Sequence, residues 1–242
     1  MVVANSSTHL STAQSKGCVP IAVIFLKSTS TTDQSHGWSG GYAVALQNAT
    51  TGNGANGTCI WGPTGNNANP LNSVDYTTWK NYWDGYTYTH NIGENSSYQA
   101  IYFALRYNLT VPAPPSSSLW YLPSNGQWYY IIWYLCNEKS PSSYGNNDYM
   151  GWTGKASEGA TNINSYFTTA QTYGGQIYTT SSAHGTGLGC EDFWTSSNSS
   201  NASFAHMARF NYAANNIHIW TDNSTQGKKD TWQIHVRPVL AF

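Results

Sequence analysis

The apolar positions of this chain change period along its length, and each change marks a different kind of element. Pro20–Lys27 (PIAVIFLK) is a continuous, β-branched run that predicts a buried strand, and Gly40–Leu46 (GGYAVAL) alternates well enough to be its hairpin partner across a polar turn at 29–39. From Asn48 to Asn72 the chain is rich in Gly, Asn and Thr, the composition of a long surface loop. A helical period follows. Behind a Ser96 or Ser97 cap, Tyr98, Ile101, Tyr102 and Leu105 form one apolar face, and PAPPSSS at 112–118 ends that helix because proline cannot continue it. A second helix is predicted from Ser124 to about Cys136, since Ser124 and Gln127 stand at capping-box spacing after Pro123. Residues 138–190 hold one more helical stretch, Asn162–Gln171, between long Gly- and Ser-rich loops.

From Phe193 onward the pattern switches to period two. Ala205–Asn211, Asn216–Asp222 and Thr231–Val239 are predicted strands, joined by AAN around 214 and by NSTQGKK at 223–229. Strand, strand, two main helices, long loops and a terminal antiparallel sheet describe an α+β domain over residues 18–242. Residues 1–17 are polar and without periodicity and are read as a disordered tail or linker. They show neither a basic n-region nor an apolar h-region, so the sequence is expected to begin inside a longer protein.

Composition narrows the function classes. Hydrophobic residues make up 40% and charged residues only 9%, with 11 Trp and 18 Tyr, which is a globular and not a disordered balance. The net charge of -1 and the absence of a Lys/Arg stripe argue against a nucleic-acid partner that relies on phosphate neutralisation. No apolar run approaches the roughly eighteen residues that span a bilayer. The four cysteines, Cys18, Cys59, Cys136 and Cys190, are spread without a CxxC, against a structural zinc or redox motif. A Cys18–Cys59 disulfide and free buried thiols both remain open. The N-x-S/T triplets, as at Asn48, Asn108 and Asn223, are expected in a chain this rich in Asn, Ser and Thr and are not read as glycosylation sites.

The segment 193–242 combines aromatic, Asn, Ser and His side chains on strand-like stretches, the alphabet of a recognition surface: rigid aromatic area with adaptable hydrogen bonding. A Ser/His/Asp triad is a matter of geometry that sequence leaves open, but no catalytic motif points to one. No G-x-S-x-G elbow or carboxylate pair stands out, and GTGLG at 185–189 lacks the G-x-G-x-x-G setting of a phosphate loop. His206, His218 and His235 lie on three candidate strands, yet their spacing and the lack of a carboxylate partner argue against a metal. Glu191 and Asp192 point to opposite faces if they lie on a strand; on a loop they leave a structural calcium open, and no other cofactor is expected.

Four motifs occur in order: DGYTYTHNI at 84–92, WYLPSNGQW at 120–128, FWTSS at 193–197 and VRPVLAF at 236–242. With them the chain resembles the C-type-lectin-like modules of Bacteroidetes surface and fimbrial proteins, and related variable proteins of diversity-generating retroelements, some of them phage receptor-binding proteins. The resemblance implies a C-type-lectin-like fold whose terminal strands display variable side chains to a ligand. In retroelement-diversified members variation falls on template adenines, so AAC codons become those for Asn, Ser, Tyr, His, Asp, Thr, Ala, Arg or Phe, but never Trp, Gln, Lys or Met. Ser203, His206, Arg209, Asn211, Tyr212, Asn215, Asn216, His218, Asp222, Asn223, Thr231 and His235 fit such variation, and Trp220 and Trp232 would be fixed contacts. These fourteen positions are the expected ligand-binding set.

The expectation is therefore a non-enzymatic adhesin or receptor-binding module on a cell surface, pilus or phage tail, engaging a protein or glycan receptor. A formylglycine-generating type of enzyme on the same scaffold would need Cys136 and Cys190 to meet in a cleft. A structural pilus subunit would show instead an exposed sheet edge or apolar patch.

Overall fold

The computed structural model describes residues 7–65, 80–145, 149–178, 190–199, 201–220 and 229–242. Its architecture is α+β, with six helices and two sheets among these residues.

The first hairpin forms as the pattern predicts. Strand β1 (Ala22–Leu26) pairs antiparallel with β2 (Tyr42–Ala45), and β10 (Val239–Ala241) closes the other side of β2 to give a three-stranded sheet. All four residues of β2 are buried because both of its faces are covered: Tyr42 and Val44 point into one apolar cluster, Ala43 and Ala45 into a second. The polar turn between β1 and β2 contains a short helix, α2 (Thr31–Ser35), capped by the Ser30 side chain on the Asp33 amide. Gly41 is required where the turn meets the sheet. It has φ +139° and a Cβ there would lie 2.2 Å from the Leu26 carbonyl oxygen.

A seven-stranded sheet carries the rest. Its order is β3 (Thr58–Cys59), β9 (Ile234–His235), β6 (Cys190–Asn198), β7 (Ala205–Asn211), β8 (Asn216–Trp220), β5 (Tyr149–Trp152) and β4 (Ser143–Gly145). Every pairing is antiparallel except β6 with β9, where Phe193 stands opposite His235.

The remaining helices are α1 (Ser7–Ser15), α3 (Gly85–Ile92), α4 (Gln99–Arg106) with a 3₁₀ turn after it, α5 (Asn125–Tyr134) and α6 (Ala156–Thr172). No described helix is long and apolar enough to cross a membrane. Helices α5 and α6 pack Trp128, Ile131, Ile132, Ala160, Ile163 and Phe167 onto one face of the large sheet, at Phe193, Ala208, Phe210, Ile217 and Ile219. Part of the other face, at Trp194, Met207 and Ile234, is covered by α4 and by Trp61, Trp120 and Leu122.

Several expectations change. The predicted capping box of α5 is present, with the Gln127 amide donating to Ser124 Oγ at 3.3 Å and the Ser124 amide donating to Gln127 Oε1 at 3.0 Å. By contrast, α4 starts at a Tyr98 cap with no side-chain bond; the Ser97 amide donates to Asn95 Oδ1 in an Asx turn that leads into the helix. Residues 7–15, read as structureless tail, form α1, which half-buries Leu10 and buries Ala13. The predicted Asn162–Gln171 helix extends to 156–172, and the loops around it contain β4 and β5.

The single strand expected over Thr231–Val239 is two. The chain pairs as β9 in the large sheet, leaves it at Arg237-Pro238 and re-enters pairing as β10 in the small one. Pro238 has no amide to give to a ladder, and its carbonyl accepts from Ala45. Arg237, 2% exposed, fills the crossing. Its guanidinium donates to the carbonyls of Ala45, Leu46 and Tyr178 and lies 5.2–5.7 Å from the rings of Phe167, Phe193 and Tyr178.

Candidate functional site

The period-two alternation of β6, β7, β8 and β5 sorts their side chains between two faces. On the face opposite α5 and α6, cross-strand register lines up Asp192 with Arg209, Arg209 with His218, and Trp220 with Tyr149. These residues make a compact cluster. The Arg209 guanidinium meets Asp192 two-pronged, Nε to Oδ1 and Nη2 to Oδ2, each at 2.7 Å. Its carbon lies 5.3 Å from the Trp220 ring centroid and 5.9 Å from that of Trp232, so the cation is held against two indoles. His218 adjoins Tyr149 and Trp220, with ring centroids 5.0 and 5.7 Å away.

The floor is buried and its rim is half-open. Arg209, Asp192 and His218 are 4%, 7% and 8% exposed, whereas Tyr149, Trp220 and Trp232 are half-buried. Burial first and the neighbouring Arg209 charge second push the His218 imidazole down to about 4, so it is neutral at physiological pH. Among the described residues, neither of its ring nitrogens nor Trp220 Nε1 has a hydrogen-bond partner.

Of the fourteen expected positions, Arg209, His218, Trp220 and Trp232 converge here. His206 does not. It alternates to the opposite face, is 1% exposed, and sets Nδ1 2.7 Å from Asn125 Nδ2 at the start of α5. His235 shares the face of its partner Phe193, with Nδ1 3.3 Å from the Gly57 carbonyl oxygen and its ring near Phe193 and Tyr178. Asn211, Asn215 and Asn216 hold the β7–β8 hairpin: their side-chain oxygens accept from the amides of Ala214, Ser157 and Gly154. Tyr212 packs half-buried against the α5/α6 side. Ser203 sits in the turn before β7, its carbonyl accepting from the Lys229 amide, and Thr231 is exposed. Asp222 and Asn223 lie outside the described residues, as do the glycines of 185–189.

Two members of the cluster were not among the expected positions. Asp192 is placed by β6, a strand whose polar stretch 195–198 hides its periodicity, and Tyr149 by β5 in a segment read as loop. Trp194 is fully buried and donates from Nε1 to the Cys59 carbonyl, while Trp61 donates to that of Thr195. Lys229, at the end of a segment read as a polar turn, is fully buried over the Trp61 ring at 4.8 Å, and burial pushes its ammonium down to about 8.

The other chemistry considered finds different surroundings. Glu191 and Asp192 lie on a strand and diverge to opposite faces, so the two carboxylates cannot share one calcium. Among the described residues no three His, Cys, Asp or Glu side chains gather about one point, and His206 and His235 face away from His218. Cys18 and Cys59 are free thiols. Cys136 is also free and fully buried, and burial pushes its thiol up, the reverse of an activated cysteine.

A fimbrial protein from Bacteroides ovatus ATCC 8483, solved by crystallography, is similar in fold, with a TM-score of 0.52 and 12% identity over 89% of this chain and 39% of that one. The chain therefore spans well under half the length of that protein. No protein-family model and no curated protein sequence matches the chain.

Proposed function

We propose that this chain is a ligand-binding module of adhesin or receptor-binding type, carried on a bacterial surface or fimbria, with a C-type-lectin-like fold. It engages its target through the large-sheet face that bears Arg209, His218, Trp220 and Trp232. The observation that carries the reading is the Arg209 guanidinium fixed by Asp192 against two half-exposed tryptophans. Such rigid aromatic and arginine anchors dominate binding energy at interfaces. Similarity of fold to a fimbrial protein supports the surface setting.

Binding of the fluorescently labelled protein to bacterial and epithelial cells tests the reading. Trp232→Ala, at the rim, is expected to lower binding by about tenfold or more, a usual cost of losing an anchor. Tyr134→Ala, on the exposed side of α5, is expected to leave it unchanged. Equal binding by wild type and Trp232→Ala would reject this face. Retroelement diversification is a separable part of the proposal. A near-copy of the DNA for 193–242 beside a reverse-transcriptase gene, differing at adenines, should vary the codons of Arg209 and His218 and spare those of His206 and His235, which lie on the opposite face.

A further inference from the structure

The two sheets treat their edges differently. The large sheet stops at strands of two and three residues, β3 and β4, which offer little ladder to a partner. On the small sheet the outer side of β10 is occupied: Val239 and Tyr121 exchange both amide-to-carbonyl bonds, and the Ser118 amide donates to the Ala241 carbonyl. Strand β1, five residues long, is paired on one side only among the described residues.

The register fixes which backbone groups this edge offers. The Leu46 amide donates to the Ile21 carbonyl, and pairing runs on without a shift through Ala22 with Ala45, Val23 with Val44 and Ile24 with Ala43. Bonded and non-bonded pairs alternate in an antiparallel ladder, so Ile21 and Val23 turn to β2 while the amides and carbonyls of Ala22 and Ile24 turn away from it. Among the described residues nothing bonds to those outward groups. The edge is also reachable and apolar: Ile21, Ala22, Val23 and Ile24 are half-buried, and Val19 is 59% exposed. Features that guard an edge stand only at its ends, with Pro20 before it, a bulge ahead of Leu26 and Lys27 after it.

We infer that this edge is closed by the same edge of a second copy, antiparallel about a two-fold axis through Val23. In that register Ala22 of each copy faces Ile24 of the other, and the outward amides of one strand meet the outward carbonyls of its partner. No charged residue lies between Val19 and Leu26, and the antiparallel arrangement carries Lys27 of each copy to the Val19 end of the other, keeping the two lysines apart. A lone strand from another protein would cover β1 and become the new edge itself, whereas two like edges remove each other. Because β10 has no free side, pairing through the small sheet stops at two and gives a dimer, not an open array of pilus subunits. The short strand makes that dimer weak, formed and lost with concentration. The inference concerns the small sheet and does not depend on the large-sheet face.

Sedimentation velocity over a wide range of protein concentration is expected to show a reversible monomer–dimer equilibrium and nothing larger. Amide hydrogen exchange read by NMR locates the contact. The Ala22 and Ile24 amides should exchange freely in dilute protein and become protected as the dimer forms, while the Val23 amide, held in the ladder to β2, is protected throughout. Charge at the strand ends tests the register without disturbing the core, since Val19 and Lys27 are exposed. Val19→Lys is expected to raise the dimer dissociation constant about fivefold at low salt and Val19→Glu to lower it by a similar factor, with the order reversed in Lys27→Glu protein. A monomer at every concentration overturns the inference. So does a dimer that leaves the Ala22 and Ile24 amides unprotected or ignores the charge at Val19, because the copies then meet elsewhere. Growth beyond the dimer rejects closure at two and with it the two-fold pairing.

Discussion

Replacing Asp192 by asparagine tests whether the cluster on the large sheet is as tightly built as its geometry implies. The substitution keeps size and one oxygen, but turns the second oxygen into an amide that faces a guanidinium N–H, donor against donor. Arg209 is 4% exposed and cannot retreat into water, so a buried cation loses its counter-charge and at least one of two 2.7 Å charge-assisted bonds. Removing one member of such a pair costs roughly 3–5 kcal/mol; because one oxygen survives, the lower end, about 3 kcal/mol, is expected. For a domain of this length that corresponds to a fall in Tm of roughly 6–12 °C. Urea unfolding followed by tryptophan fluorescence reads it as a lower midpoint at unchanged slope. The double variant Asp192→Leu/Arg209→Met is expected to regain most of the loss, since an apolar pair of similar volume avoids the desolvation of both charges. A loss below about 1 kcal/mol in Asp192→Asn would refute the argument, because Arg209 would then hold its place without the pair.

Other perturbations probe the scaffold and the titration of the site. Gly85→Ala is expected to destabilise by about 2 kcal/mol despite better helix propensity, because its Cβ would lie 2.5 Å from Gln127 Oε1 and 2.9 Å from the Ser124 amide, inside the capping box of α5; thermal melting supplies the sign. Arg237→Met should cost about 3 kcal/mol in urea unfolding, since three carbonyls, those of Ala45 and Leu46 buried and that of Tyr178 half-buried, lose their shared donor at the crossing between sheets. His218 is neutral when folded, with its pKa near 4 against 6.5 for an ordinary histidine, so below pH 6.5 the unfolded chain takes up a proton that the folded chain refuses. Stability should therefore fall as pH drops from about 6.5 to about 4, by up to roughly 3 kcal/mol, and level off below. Subtracting the pH profile of His218→Phe isolates this contribution, and parallel profiles for the two proteins would contradict it.

What the sequence disclosed depended on how local the signal was. The Ser124–Gln127 box and the Ala205–Asn211 alternation need only near neighbours, and both elements occur where they were expected. Strand β6 was hidden because its polar half is buried against distant partners: the Ser196 amide donates to the Pro123 carbonyl, and the Thr195 carbonyl accepts from Trp61. No period in FWTSSNS betrays bonds to residues more than seventy positions away. Without β6 the sequence could not join Asp192 to Arg209, so the core of the site was half visible. Alternation did contain one overlooked fact. His206 and Arg209 differ by an odd number of positions on one strand and cannot both face a ligand. Codon compatibility is blind to that parity, which is why His206 and His235 entered the expected set alongside Arg209 and His218. The break at Pro238 was legible as chemistry, but the destination of the chain beyond it was not, since it depends on β2 lying nearly two hundred residues earlier.

The small sheet sets how the domain responds to a pull. Strands β1 and β10 flank β2 and run in the same direction, with the start of β1 level with Ala45 and the end of β10 level with Tyr42. Tension applied through the segments before β1 and after β10 drags these two strands past β2 in opposite senses. The ladder bonds on both sides are then loaded together in shear and do not unzip singly. A domain tethered at either end would accordingly resist mechanical extension while the β6–β8 face, on the other sheet, stays outside the line of force.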